Sequence, residues 1–178
     1  MHTIDPLDLP APDADIHDLA ELLIDAVDSG AAVTFLPPLD HERSSAWWRA
    51  TLTSLHPKAV VLVARDGRRI VGTAHFQPAT AYNQLHRAEV VKVIVHRRAR
   101  GRGIGRRLMV EIERHAAAAG FTLLTLDTKR GDAAEHLYRT LGWTAVGTIP
   151  GYAFNPDGTT LHDAVLFYKH VPASNAGL

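Results

Sequence analysis

Residues Glu89 to Met109 read EVVKVIVHRRARGRGIGRRLM. An apolar, β-branched run from Val90 to Val95 flows into Arg100-Gly101-Arg102-Gly103-Ile104-Gly105, and a helical pattern opens directly behind it. Strand, glycine loop and helix start, in that order, present backbone N–H groups to an anion, above all to a pyrophosphate. Glycine serves there because a Cβ would hold the phosphate away from the main chain. Arg97, Arg98, Arg100, Arg102, Arg106 and Arg107 crowd the same segment. So much positive charge points to a ligand with several phosphates.

A dinucleotide site of the Rossmann kind is the sharpest rival. Asp127 ends the next apolar strand, 22 residues after Gly105, about where a ribose-binding carboxylate stands. Two features oppose it. The glycines run G-x-G-x-G rather than G-x-G-x-x-G, and only 51 residues follow Asp127, too few for the remaining units of that fold. A nucleic-acid patch is opposed by the formal net charge of zero and a pI near 7.2, which leave no wider basic footprint.

The length of 178 residues fits one domain, residues 1–178, with a full core. No apolar run approaches the ~20 residues of a membrane span. The acidic, proline-rich start MHTIDPLDLPAPDAD lacks the pattern of a signal peptide. Cysteine is absent, which excludes a thiol nucleophile, disulfides and thiolate metal sites. The expected compartment is the cytoplasm. Eleven histidines are scattered with no H-x-x-x-H or H-E-x-x-H pair, so no metal is expected.

Outward from the glycine loop, the periodicities give the order of elements. Asp13 is the expected cap of a helix through Ile16, Leu19, Leu23 and Val27 that ends near Gly30. Asp40 caps a second helix carrying Trp47, Trp48 and Leu52. Ala59–Arg65 and Arg69–Gln77 read as strands joined by an Asp66-Gly67 turn. The helix behind the glycine loop stops at Gly120, and Phe121–Asp127 follows as a buried strand. Asp132-x-x-Glu135 opens a short helix as a capping-box variant. Trp143–Thr148 and Ala164–His170 are the last strands, linked through the Asn155-Pro156-Asp157-Gly158 turn. The tail from Pro172 is expected to be disordered. A further first strand is expected near Leu7 or Val33.

The spacing Arg100-x-x-Gly103-x-Gly105 resembles the Q/R-x-x-G-x-G/A acyl-CoA signature of the GNAT superfamily of N-acyltransferases. Ala134-x-x-Leu137-Tyr138-x-x-Leu141-Gly142-Trp143 resembles the family's A-x-x-L-Y-x-x-x-G-F motif. From His86 onward the chain is similar to the tabtoxin-resistance type of acetyltransferase, through HRAEVVKVIV, RRARGRGIGRRLM, LDT, AEHLYRTLGW, GYAFNPDG and LFYK. The resemblance implies an α/β (mixed α+β) fold, with a mixed central sheet and helices on both faces. It implies acetyl-CoA as co-substrate. The pyrophosphate would lie on the N–H groups of Arg100, Gly101, Arg102, Gly103, Ile104, Gly105 and Arg106. The main chain of Val93, Ile94 and Val95 would pair with the pantetheine arm. Tyr138 would protonate the leaving thiolate. Many members carry Asn seven residues before that tyrosine, on the coenzyme arm. Here the position is Gly131, so another group or backbone must make that contact.

Neither a cysteine nor a G-x-S-x-G elbow is present, so direct attack in a ternary complex is the expected route. Attack on a thioester requires that the amine lose a proton. Glu89 and Asp127 are the candidate bases, with His75 and His86 as alternatives near neutrality. If their strands are parallel neighbours, splay or a bulge decides whether Glu89 and Asp127 share a cleft. Trp47, Trp48, Tyr82 and Tyr152 are candidates for the acceptor wall. The resemblance implies a small, polar, amino-acid-like amine as acceptor; no nucleic acid or membrane partner is expected from charge and hydropathy, and a monomer or homodimer is expected. A protein N-terminus or lysine as acceptor, and a non-catalytic acyl-CoA sensor, are the alternatives.

Overall fold

The computed structural model describes residues 2–172. The tail expected to be disordered falls, beyond Pro172, outside the described residues. The elements are β1 (Thr3–Pro6), α1 (Asp13–Asp28), α2 (His41–Thr53), β2 (Val60–Asp66), β3 (Arg69–Pro78), β4 (Arg87–Val95), α3 (Ile104–Ala118), β5 (Leu123–Lys129), α4 (Ala133–Thr140), β6 (Thr144–Phe154) and β7 (Leu161–His170). They build one seven-stranded sheet in the order β1-β2-β3-β4-β5-β7-β6. Every neighbouring pair is antiparallel except β4 and β5. The fold is therefore the expected mixed α/β architecture.

Each face of the sheet carries its own core. On one face Leu62, Ala74, Phe76, Val90, Leu124 and Phe167 pack with Leu108, Met109 and Ile112 of α3 and Tyr138 of α4. On the other, Val61, Val63, Ile70 and Ile94 pack with Leu19, Leu22 and Leu23 of α1 and Trp48 of α2. The period-2 alternation of β2 produces this division directly: Leu62 and Ala64 face α3, and Val61 and Val63 face α1. Helix α1 also buries three carboxylates, and each has a partner. Asp15 binds Arg65 at 2.7 Å. Asp18 accepts from the N–H of Ile70 at 2.8 Å. Asp25 holds the N–H and guanidinium of Arg97. Pairing of this kind makes buried charge tolerable.

Several local expectations are corrected. Asp13 is the first helical residue, not the cap. Pro12 takes the cap place with φ −60° and ψ 152°, and its carbonyl accepts from Ile16 N–H at 3.1 Å. The first strand lies just before Leu7, whose N–H donates to Val61 O at 2.8 Å, and Val33 is in a loop. Asp40 caps α2 through Arg43 N–H at 2.8 Å, as expected. The capping box of α4 is displaced: Asp132 makes no side-chain cap, and Glu135 reaches one residue further back to Gly131 N–H at 2.7 Å. Strands β6 and β7 both extend into the loop expected between them.

Two irregularities of β4 shape its surroundings. It pairs with β5 only from Arg87 to Glu89, through Arg87–Leu123, Ala88–Leu124 and Glu89–Thr125, and beyond Glu89 the two strands part. On its other edge, Thr73 pairs Ile94 while His75 pairs Val91, so Lys92 and Val93 stand opposite Ala74 alone. This is a β-bulge, and Lys92 takes a left-handed φ of +54° within it. The extra residue reverses the alternation. Ala88 and Val90 face the α3 core, and past the bulge Ile94 turns to the α1 core while Val93 and Val95 turn to α3.

Candidate active site

A cavity of about 480 Å³ opens where β4 leaves β5. Val93, Ile94 and Val95 line it along the strand, Arg100, Gly101 and Gly103–Arg106 along the loop, and Ala133, Ala134 and Leu137 along α4. The glycines have different reasons. Gly101 and Gly103 lie at φ +75° and +74°, where a side chain is strained, and nothing stands within 4 Å of the position a Cβ would take. Gly105 has ordinary φ, but a Cβ there would meet Leu137 at 3.3 Å, so it lets α3 approach α4. Gly103 is also the N-cap of α3 and brings no capping side chain. The first-turn N–H groups, which lack intrahelical partners, are therefore not taken by a capping side chain and carry the positive end of the helix dipole. A pyrophosphate fits this cradle: open space beside glycine, unpaired donors, and the guanidinium-rich segment around them. Arg102 is on the loop but does not line the cavity. Arg97 is engaged by Asp25, and Arg100 donates to Val95 O at 3.0 Å and Ser29 Oγ at 2.9 Å, which ties the loop to α1.

Tyr138 projects from α4 into the core between Trp143 and Phe167, with ring centroids at 6.1 and 5.9 Å. Burial raises its phenol above the ordinary tyrosine value, and the Asp127 carboxylate adds to the effect. The group stays protonated throughout the neutral range. Gly131 has φ +85°, and its N–H is held by Glu135, so it offers the coenzyme arm no side chain.

A second cavity, of about 460 Å³, is lined by Ala32, Thr34, Phe35 and Leu36 of the α1–α2 loop, Asp127 and Lys129 of β5, Tyr152 and Phe154 of β6, and His162 of β7. It shares Gly30, Ala31 and Val33 with the first. Leu124 and Leu126 face the α3 core, so Thr125, Asp127 and Lys129 face the other way, on the side of Glu89. Loss of solvent raises the Asp127 carboxyl above the ordinary aspartate value, and Lys92 and His162 oppose that rise. Lys92 is lowered by burial while Asp127 and Glu89 pull it back up. Tyr152 is raised first by Asp127 and also by Glu89. The parting of the strands thus brings both candidate acids to bear on one set of neighbours. Neither has an ion-pair partner among the described residues. Arg87 bonds Thr125 and Gln84 instead.

Other candidates stand elsewhere. His75 is 3% exposed in the α1-side layer, its Nδ1 has no partner, and burial with help from Lys92 lowers it to about 4. It lines neither cavity. His86 precedes β4 at the far end, beside Thr122 and Leu123. Trp48 is fully buried core, and Tyr82 is 95% exposed. Trp47 stacks edge-on against Phe35, which lines the second cavity, and lies under the Lys92 ammonium. Of the four aromatic candidates only Tyr152 lines the cavity. Lys129 was open to detection, because it shares the strand face of Asp127. The inward turn of Lys92, its Nζ 2.8 Å from Thr34 Oγ1, depends on the bulge and had no sequence signal. His17, Glu21 and His41 bring donor atoms within 4.8 Å of one another, but they line neither cavity. Among the described residues no helix is long and apolar enough to cross a membrane.

Known proteins carry the same pattern. The profile of the acetyltransferase (GNAT) family matches residues 22–143. The chain is 32% identical over 136 residues to an uncharacterized N-acetyltransferase of the hisH-hisA intergenic region of Azospirillum brasilense, covering 75% of this chain and 80% of the relative. It is 28% identical over 143 residues to an L-methionine sulfoximine/L-methionine sulfone acetyltransferase of Pseudomonas paraeruginosa, covering 78% and 81%. Among solved structures, yncA of Salmonella typhimurium, determined with its cofactor acetyl-CoA, superposes with a TM-score of 0.78 at 22% identity, over 99% of this chain and 96% of that one. Sheet, glycine loop and family match agree, and the chain belongs to the acetyltransferase (GNAT) family of acyltransferases.

Proposed function

We propose that this protein, acting as one domain, transfers the acetyl group of acetyl-CoA to the primary amine of a small, polar, amino-acid-like molecule by direct attack in a ternary complex. The observation that carries this reading is the pair of adjoining cavities. One is lined by the glycine cradle and the freed edge of β4, and the other by an unpaired carboxylate and aromatic rings. A volume of about 460 Å³ suits a small molecule. The relatives that act on amino acids by name, the L-methionine sulfoximine/L-methionine sulfone acetyltransferase and an L-amino acid N-acyltransferase of Escherichia coli, favour the same acceptor class.

In this reading the N–H groups of Arg100–Arg106 hold the pyrophosphate, and the main chain of Val93–Val95 pairs with pantetheine where β4 has left β5. The thioester then points toward the shared wall at Gly30, Ala31 and Val33. Asp127, or Glu89 beside it, binds the incoming ammonium and passes one proton toward solvent. The freed amine attacks the carbonyl carbon, the C–S bond breaks, Tyr138 donates its proton to the departing thiolate, and the second proton leaving the attacking nitrogen restores the phenol. A phenol is the weaker acid of the two in water, at ~10 against ~8.5. Burial and the Asp127 carboxylate raise the Tyr138 phenol further, so the transfer runs uphill unless the site also raises the thiol, as loss of solvent around a thiolate does. The test is release of free coenzyme A across an amine panel with mass confirmation of the acetylated product. Release with small amino acids supports the reading. Acetylation of peptide N-termini alone, or acetyl-CoA binding with no transfer, overturns it.

A further inference from the structure

The acceptor cavity carries two opposite charges on one strand face. Asp127 and Lys129 are two residues apart on β5, both line the cavity, and neither has an ion-pair partner among the described residues. The nearby basic residue Arg130 pairs with Asp163 outside the cavity, at 3.6 Å. Lys129 itself is half-buried.

We propose that Lys129 is the receptor for a carboxylate carried next to the reactive amine, so that the acceptor is bound as a zwitterion between Asp127 and Lys129. This rests on the acetyl-transfer reading above. Alternate residues of a strand stand about 6.8 Å apart on one face. An α-amino acid carries its ammonium and its carboxylate on a single carbon. It fits between the two side chains with a charge-assisted hydrogen bond of about 2.8 Å at each end, the flexible lysine stem adjusting the span. Asp127 is the group nearer the Glu89 side of the cleft and also acts on Tyr138, so the amine end lies toward the thioester. The carboxylate end lies outward, toward the end of β5. Tyr152, Phe154 and Phe35 remain to meet the substrate's side chain. A primary amine without the carboxylate would leave the lysine unanswered. An amine flanked by a second positive charge would be repelled.

The experiment compares L-methionine with L-methioninamide, and L-glutamine with its α-amide, as acceptors for wild type, Lys129→Met, Lys129→Arg and Lys129→Glu. Rates are expressed per free amine, because the amide's ammonium is the more acidic. Calorimetric affinity for acetyl-CoA reports that each variant is folded. Wild type should favour the free acid by roughly 10- to 100-fold in kcat/KM, the range of one charge-assisted hydrogen bond. Lys129→Met should bring the acid-to-amide ratio toward one, Lys129→Arg should restore much of it, and Lys129→Glu should invert it. A ratio in Lys129→Met within twofold of wild type overturns the assignment of Lys129. A wild type that acetylates acids and amides equally overturns zwitterion recognition while acetyl transfer stands. A wild type that acetylates no amine overturns both.

Discussion

Gly103 combines a left-handed φ with the cap position of α3 and open space where a side chain would project. Gly103→Asp adds strain and a negative charge at the place read as the phosphate site. Calorimetry should then detect no acetyl-CoA binding in a variant that remains folded, and unchanged affinity would remove the cradle from this loop. Tyr138 makes ring contacts that phenylalanine keeps. Tyr138→Phe should leave acetyl-CoA affinity nearly intact while kcat falls by ~10²-fold, the scale of one acid catalyst. A fall of less than twofold would make the tyrosine packing alone. Asp127 lines the cavity proposed for the acceptor, with a raised carboxyl, and Glu89 shares its neighbours. If Asp127 takes the ammonium proton, Asp127→Asn should cut kcat/KM, and the deficit should shrink as pH rises and free amine forms without a base. Glu89→Gln measured beside it separates the two acids. A deficit independent of pH would leave Asp127 with charge binding only.

The bulge of β4 decides at the level of the element what no single residue does. It carries one extra residue, so deleting Lys92 returns the strand to regular pairing with β3. Ile94 stays on the α1 side, and Ala88, Val90, Val93 and Val95 stay on the α3 side. The deletion variant should therefore fold, as judged by a cooperative urea transition. It should bind acetyl-CoA more weakly, because a bulge bends and twists its strand and that bend helps β4 part from β5. Loss of folding would show that the Lys92 contacts with Thr34 and Trp47 hold the strand, not its alternation. Elements with strong local signals were legible from the chain: α3 behind its glycines, α2 behind Asp40, and the β2–β3 hairpin at Asp66-Gly67. The cap of α1 was not, because Pro12 supplies a fixed φ and a carbonyl that compete with the side chain of Asp13.

Across the whole molecule, the buried charge of α1 and the buried His75 sit in the core layer that carries α1 and α2. The His75 imidazole falls from 6.5 to about 4 on folding. A depressed value means that the unfolded chain binds the proton first. The stability His75 contributes is complete above pH 6.5 and is lost as pH falls through 4. Between pH 8 and pH 5 this amounts to about 2 kcal/mol. His75→Gln should reduce the loss by that amount when urea midpoints are compared at the two pH values, and an unchanged difference would place the imidazole in contact with water. The amino-acid sequence by itself determined the fold family and the glycine loop ahead of α3, since periodicity, positive-φ glycines and the Tyr138 motif are local properties that a contiguous segment carries. It did not determine the acceptor site. Asp127, Lys129, Tyr152 and His162, which line the second cavity, come from three strands, β5, β6 and β7, and Glu89 and Lys92 of β4 bear on them by charge. Their meeting depends on the parallel register of β4 and β5, the point at which those strands part, and the bulge that turns Lys92 inward. Register and splay are set by packing between distant parts of the chain, so the charges that face the second cavity were decided only by the tertiary structure.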